Sequence, residues 1–175
     1  MGEPKRTQPE VSLRGMRAPE YARWKALSLA DYAQDLIASG QCAPSEAAER
    51  AEAEFDAQLT DGLSTAGNEL LVAESADGVS VGVLWSEAME AGGIFLADFV
   101  VYEEHRRKGY GGAMLAAWTE RLRAAGVSCI RLHVFAQNLA AVRLYERAGF
   151  VPVESEGAQE GSRYMHKRIE CTGGA

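Results

Sequence analysis

Seven consecutive residues, Arg106-Arg107-Lys108-Gly109-Tyr110-Gly111-Gly112, have the makings of an anion cradle. Three cations stand side by side, and three glycines let backbone N–H groups approach a ligand with no Cβ in the way. Residues 94–101, just before them, are rich in Ile, Phe and Val, as a buried strand is. Behind them Met114, Leu115, Trp118, Leu122 and Ala125 recur at helical spacing. A strand, a basic glycine turn and a helix in that order offer a phosphate the unpaired amides and positive end of the helix. The chemistry expected here is binding of a phosphorylated cofactor.

Two common phosphate loops are excluded. The nucleoside-triphosphate loop needs Gly-x-x-x-x-Gly-Lys and then Ser or Thr, which the chain lacks. The dinucleotide turn Gly-x-Gly-x-x-Gly fails because Met114 stands where its third glycine belongs. Further along, Leu132, His133, Val134 and Phe135 read as a strand. Asn138 then suits a helix N-cap, Ala141, Leu144 and Tyr145 follow on one helical pattern, and Gly149 suits the stop.

Together, Arg106-x-x-Gly109-x-Gly111 and Leu132-x-Val134-x-x-x-Asn138-x-x-Ala141-x-x-Leu144-Tyr145-Glu146-x-x-Gly149-Phe150 closely resemble the GNAT superfamily of acetyl-CoA-dependent N-acetyltransferases. The resemblance is clear over residues 94–150 and extends over 11–169. It implies acetyl-CoA as co-substrate and a strand that splays open, so that the backbone of Phe99, Val100 and Val101 pairs with the pantetheine arm. It implies that Arg106, Arg107, Lys108, Gly109, Tyr110, Gly111 and Gly112 cradle the pyrophosphate. By the same resemblance Asn138 contacts the cofactor arm, and Tyr145 is the general acid that returns a proton to the departing thiolate.

Acetylating an amine also requires a base to take the proton from the attacking nitrogen. Many relatives carry a Glu on the strand before the glycine turn, but here Phe95 and Ala97 occupy the two positions where it would stand. Asp98 is one residue along, where alternation turns it to the other face unless the strand bulges. It serves either as the base or as a loop anchor through backbone hydrogen bonds. His133 is the second candidate, with an ordinary imidazole pKa suited to neutral pH. None of the cysteines falls in a motif for a covalent acetyl-enzyme, so direct transfer is expected.

Charge divides the chain. Residues 1–98 hold 7 Lys and Arg against 17 Asp and Glu, a net −10, while residues 99–175 hold 11 against 8, a net +3. The acidic half favours a cationic amine acceptor and disfavours nucleic acid. Trp24, Asp31 and Tyr32 share one helical segment with Asp35, and the resemblance, whose first helices commonly border the acceptor, places these three beside it. The acids Glu46, Glu49, Glu52, Glu54 and Asp56 are read as a solvated helix face. The leading acceptor is a small cationic metabolite or antibiotic. A protein or peptide amino group, and a non-catalytic acetyl-CoA sensor, stand as alternatives.

The elements that must position these residues are legible in the rest of the chain. Its 175 residues suffice for one domain, set at 11–170, with loose ends at 1–10 and 171–175. Strands are expected at 11–16, 70–75, 79–86, 94–101, 132–135, 151–154 and 163–169, and helices at 19–39 and 44–59, after the glycine turn and after Asn138. Asp77-Gly78 is the hairpin turn, and a Gly-rich loop over 155–162 joins the last two strands. The fold class is therefore α+β, a GNAT-like mixed, mostly antiparallel sheet with helices on both faces and a splayed cofactor cleft. Cys42, Cys129 and Cys171 are odd in number and scattered, matching neither disulfides nor a metal site, so a cytoplasmic protein is expected. No membrane span is read. Dimers are common in the family the chain resembles, and that resemblance allows a homodimer paired through the apolar-edged segment 163–169.

Overall fold

The computed structural model describes residues 8–153 and 161–170. Its elements run β1 (Val11–Gly15), α1 (Ala18–Ala38), α2 (Ala47–Gln58), β2 (Asn68–Ser75), β3 (Ser80–Ala88), β4 (Gly93–Val101), α3 (Tyr110–Ala124), β5 (Cys129–Phe135), α4 (Leu139–Arg147), β6 (Val151–Val153) and β7 (Ser162–Arg168). This is the expected order of elements. The strands form one sheet, ordered β1-β2-β3-β4-β5-β7-β6. Every neighbouring pair is antiparallel except β4 with β5.

Alternation along the strands separates two apolar layers. Leu71, Leu84, Leu96, Ile130, Leu132 and Met165 face Met114, Leu115 and Trp118 of α3 and Tyr145 of α4. On the other side Val72, Val83, Trp85 and Val100 face Trp24 of α1 and Phe55 of α2. Gly82 is needed where the layers meet, since a Cβ there would lie 2.2 Å from the Val100 carbonyl oxygen and 2.8 Å from Met114 Cε.

Local rules set the ends of the helices. Pro19 stands in the first turn of α1, and the Glu20 carboxylate accepts the Arg17 N–H at 2.8 Å. The second helix starts later than expected. Residues 44–46 form turns, and the first helical bond runs from the Arg50 N–H to the Glu46 carbonyl. Strand β5 starts earlier than expected because Cys129 already pairs with both Gly93 and Arg168. Glu154 and most of the expected loop 155–162 lie outside the described residues.

The assembly route through 163–169 is corrected by the sheet order. Strand β7 lies inside the sheet, paired with β5 along its length and with β6 over Tyr164–His166, so it is not the edge strand. No helix among the described residues is long and apolar enough to cross a membrane.

Candidate active site

Strands β4 and β5 pair only from Gly93↔Cys129 to Leu96↔Leu132 and then separate, although β4 continues to Val101 and β5 to Phe135. The cause is local. Against β3, Trp85 pairs with Asp98 and Ser86 with Leu96, so Ala97 is an extra residue and β4 bulges there. The bulge ends the parallel ladder and reverses the facing of the residues beyond it. Asp98 turns toward α1, and Phe99 and Val101 turn toward α3 and α4. The Tyr102 N–H bonds the Val81 carbonyl, so alternation gives the peptide groups of Val100 and Asp98 to β3 and leaves those of Phe99 and Val101 facing the gap.

A cleft of about 1140 Å³ runs through this gap. One end is the glycine turn. Gly109 has φ +90° and precedes α3, whose first bond runs from the Ala113 N–H to the Gly109 carbonyl. Among the described residues, nothing takes up the N–H groups of Tyr110, Gly111 and Gly112. A Cβ on Gly111 would lie 3.2 Å from Leu144 Cδ2 and 3.6 Å from Val101 Cγ2, inside the gap. Arg106 and Arg107 line this end, and the Arg106 Nε donates to the Val101 carbonyl at 2.9 Å. Three open amides, two guanidinium groups and a slot kept clear by glycine fit the pyrophosphate and arm of coenzyme A. Lys108 is exposed and Tyr110 packs edge-on against His105, so neither side chain lines the cleft. Gln8 and Pro9 cross the outer side of the turn, within 3.0 Å of the positions a Cβ would take on Gly112 and Gly109.

Asn138, Tyr145 and Arg147 line the wall across the gap. The Asn138 side-chain oxygen accepts the Ala141 N–H at 3.2 Å, the N-cap bond that starts α4. Tyr145 is buried between Phe99 and Phe150, edge-on to both. Burial, followed by the nearby Asp98 carboxylate, holds its phenol well above the ordinary tyrosine range, so it keeps its proton.

The two candidate bases differ in what surrounds them. The Asp98 carboxylate accepts the Trp24 indole N–H at 2.9 Å, the Ser28 hydroxyl at 2.5 Å and the Phe99 N–H at 2.9 Å. Burial pushes its pKa up, against the downward pull of these three donors. His133 is half-buried on the cleft wall, edge-on to Phe135 and Tyr164, and burial lowers its pKa. Its imidazole is therefore neutral near pH 7 and has a lone pair to offer.

The far end of the cleft is built by α1 and α2. Asp31, Tyr32 and Asp35 line it, while Trp24 does not. Trp24 is 0 % exposed, packed among Tyr21, Phe55 and Trp85 with its N–H on Asp98, so the expected acceptor contact is corrected to a core anchor. Glu54, expected on a solvated face, turns into the cleft, where the Tyr32 hydroxyl and the Arg50 Nε both donate to it. The i,i+4 spacing of Arg50 and Glu54 was visible in the sequence, but the rotation of α2 toward Tyr32 was not. Asp35 lies above the ordinary carboxylate range through burial and then the charge of Asp31.

Comparison with known proteins agrees with this geometry. The model of the GNAT acetyltransferase family matches residues 31–150. The uncharacterised N-acetyltransferase YycN of Bacillus subtilis is 32% identical over 146 residues, covering 80% of this chain and 92% of YycN. Its crystal structure aligns with a TM-score of 0.80 at 30% identity, over 85% of this chain and 97% of that one. YdgE of the same organism, also an uncharacterised N-acetyltransferase, is 30% identical over 145 residues, covering 79% of this chain and 90% of YdgE. At the level of fold, spermidine N-acetyltransferase of Vibrio cholerae, solved with CoA and spermine, aligns with a TM-score of 0.64 at 19% identity, over 91% of this chain and 96% of that one. The chain belongs to the GNAT family of N-acetyltransferases.

Proposed function

We infer that the protein moves the acetyl group of acetyl-CoA directly to a primary amine on a small cationic acceptor. The observation that carries the choice of acceptor is the acidic far end of the cleft. Asp31 and Asp35 stand close enough to repel, and Asp35 is raised by that repulsion as well as by burial. A bound ammonium group would relieve it. The Vibrio cholerae relative in fold is a spermidine acetyltransferase, which is the kind of acceptor this charge suits.

Acetyl-CoA supplies an activated thioester. The rest is the work of this chain. The amides of Tyr110 to Gly112, with Arg106 and Arg107, hold the pyrophosphate. The gap-facing Phe99 carbonyl and Val101 N–H align the arm between β4 and α4, since the Phe99 N–H is held by Asp98 and the Val101 carbonyl by Arg106. Asn138 borders the arm on the second wall. His133, neutral in its apolar setting, takes the proton from the acceptor nitrogen as it attacks. Backbone amides of the splayed segment polarise the thioester oxygen. Tyr145, still protonated, donates its phenolic proton to the leaving sulfur. Asp98 has both oxygens engaged by α1 and Phe99, so its part is to position the bulge, and the order of the two candidate bases is reversed.

The test is the Michaelis constant for a diamine acceptor in Asp31→Asn and Asp35→Asn. A rise of about tenfold in either, with the constant for acetyl-CoA unchanged, supports a cationic acceptor. Unchanged constants in both would overturn it.

A further inference from the structure

Past His133 and Tyr164 the cleft opens onto a part of the sheet that no described helix covers. Along β5, Ile130, Leu132 and Val134 enter the core under α3 and α4, so Cys129, Arg131, His133 and Phe135 face the other way. Helices α1 and α2 reach only Phe135 on that face, packing it with Ala33, Leu36, Ala47 and Ala51. In β7, Tyr164 stands edge-on to His133 on this same face. His166 lies directly opposite Arg131, and Arg168 opposite Cys129. A strip of Arg131, His166 and Arg168 thus begins one row, about 7 Å, beyond the His133–Tyr164 row and ends about 7 Å further on.

Such a strip carries a cost. The two guanidinium groups of the diagonal pair Arg131–Arg168 are within reach of each other, and like charges so placed destabilise a sheet. Four arginines elsewhere, Arg14, Arg50, Arg121 and Arg123, have carboxylate partners. Among the described residues, Arg131 and Arg168 have no ion pair. Glu87 shares the face, opposite Phe95 on the far side of β4, and forms no ion pair with either. An anion laid on the strip would meet two guanidinium forks suited to a carboxylate.

We propose that Arg131, His166 and Arg168 bind a carboxylate of the acceptor, which therefore carries an amine at one end and an acid about 7 to 14 Å away. The amine enters between His133 and the acidic far wall while the acid lies along β5 and β7. The charge of the two regions is complementary to such a molecule, and the strip begins one row beyond His133 and Tyr164, which line the cleft. This inference rests on acetyl transfer taking place in that cleft.

The experiment compares two acceptors with the same free amine, N-succinylcadaverine, which ends in a carboxylate, and N-acetylcadaverine, which does not. In the unaltered protein kcat/KM should favour the succinyl compound at least about tenfold, mainly through KM. In the double variant Arg131→Gln, Arg168→Gln that preference should vanish, while kcat with N-acetylcadaverine and the constant for acetyl-CoA stay as they were. Equal kcat/KM for the two acceptors, or a preference that survives in the double variant, would overturn the strip. Titration of both compounds into the protein with CoA separates the two failures. If neither is acetylated but only the succinyl compound binds, and the double variant loses that binding, the strip stands and acetyl transfer falls. Equal binding of both overturns the strip.

Discussion

The indole N–H of Trp24 donates to the Asp98 carboxylate at 2.9 Å, fastening the middle of α1 to the residue after the bulge in β4. Ser28, one turn further along α1 and only 3 % exposed, donates to the same oxygen. The acidic wall of α1 and the splayed strand β4 are thus held to each other by one carboxylate. An error in either would move both halves of the cleft.

Replacing that carboxylate should therefore be a stability event before it is a catalytic one. Asp98→Ala leaves the Trp24 and Phe99 N–H groups without their acceptor, at about 2–4 kcal/mol in total, and lowers Tm by about 5–12 °C. Trp24→Phe removes one donor and should cost about 1–2 kcal/mol with the Michaelis constant for the acceptor unchanged. Thermal melts and steady-state kinetics on the same samples check both.

The base is assigned by the acidic limb of the pH profile of kcat/KM. Because burial lowers the His133 pKa, the limb should fall below the ordinary imidazole value. His133→Gln should remove the limb and reduce the rate by about a hundredfold or more. Asp98→Asn should keep it. A limb lost only in Asp98→Asn would return the role to that carboxylate.

Tyr145→Phe keeps the ring between Phe99 and Phe150 and removes only the hydroxyl. Turnover should drop by about a hundredfold, with the acetyl-CoA constant unchanged. Unaffected turnover would take Tyr145 out of the mechanism.

Gly111→Ala puts a methyl group into the gap, 3.2 Å from Leu144, and should raise the constant for acetyl-CoA more than it lowers stability. Gly82→Ala should act first on stability. Its Cβ at 2.2 Å from the Val100 carbonyl oxygen forces β3 and β4 apart, at about 2–3 kcal/mol.

Stability should also depend on the pair at the start of α1. The Arg14 guanidinium, with the Arg17 N–H, holds Glu20 down to about 2 from its ordinary 4.5, so the folded state binds this proton less readily than the unfolded chain does. The contribution is present above about pH 4.5 and is lost as pH falls toward 2. Both groups are partly exposed, so Glu20→Gln should cost about 1 kcal/mol at pH 7. Urea titrations should show the two proteins converging in acid.

What could be read in the sequence was local. The glycine turn, the Asp77-Gly78 hairpin and the Asn138 cap each rest on a few adjacent residues with one good conformation, and each stands where it was expected. The order of elements along the chain was legible too, but not the order of strands in the sheet, where β7 enters between β5 and β6. The facing of Asp98 was not legible, because a bulge depends on how β4 registers against β3 and leaves no mark in the strand's own residues. Trp24 was expected at the acceptor because the first helices of the family border it, yet the same indole suits a core that must satisfy a buried carboxylate. Glu54 was hidden among acids that do face water, since only the packing of α2 on α1 tells one side of that helix from another. The basic strip required register across two strands distant in the chain.

The most direct test is thiol release from acetyl-CoA against a panel of diamines, polyamines, aminoglycosides, amino acids and short peptides, with products identified by mass spectrometry. Release above the rate without acceptor, with a cationic amine gaining one acetyl group and Tyr145→Phe slowing it, is the expected result. Binding of acetyl-CoA with no release for any amine in the panel would contradict acetyl transfer and turn the cleft into a sensor of the cofactor.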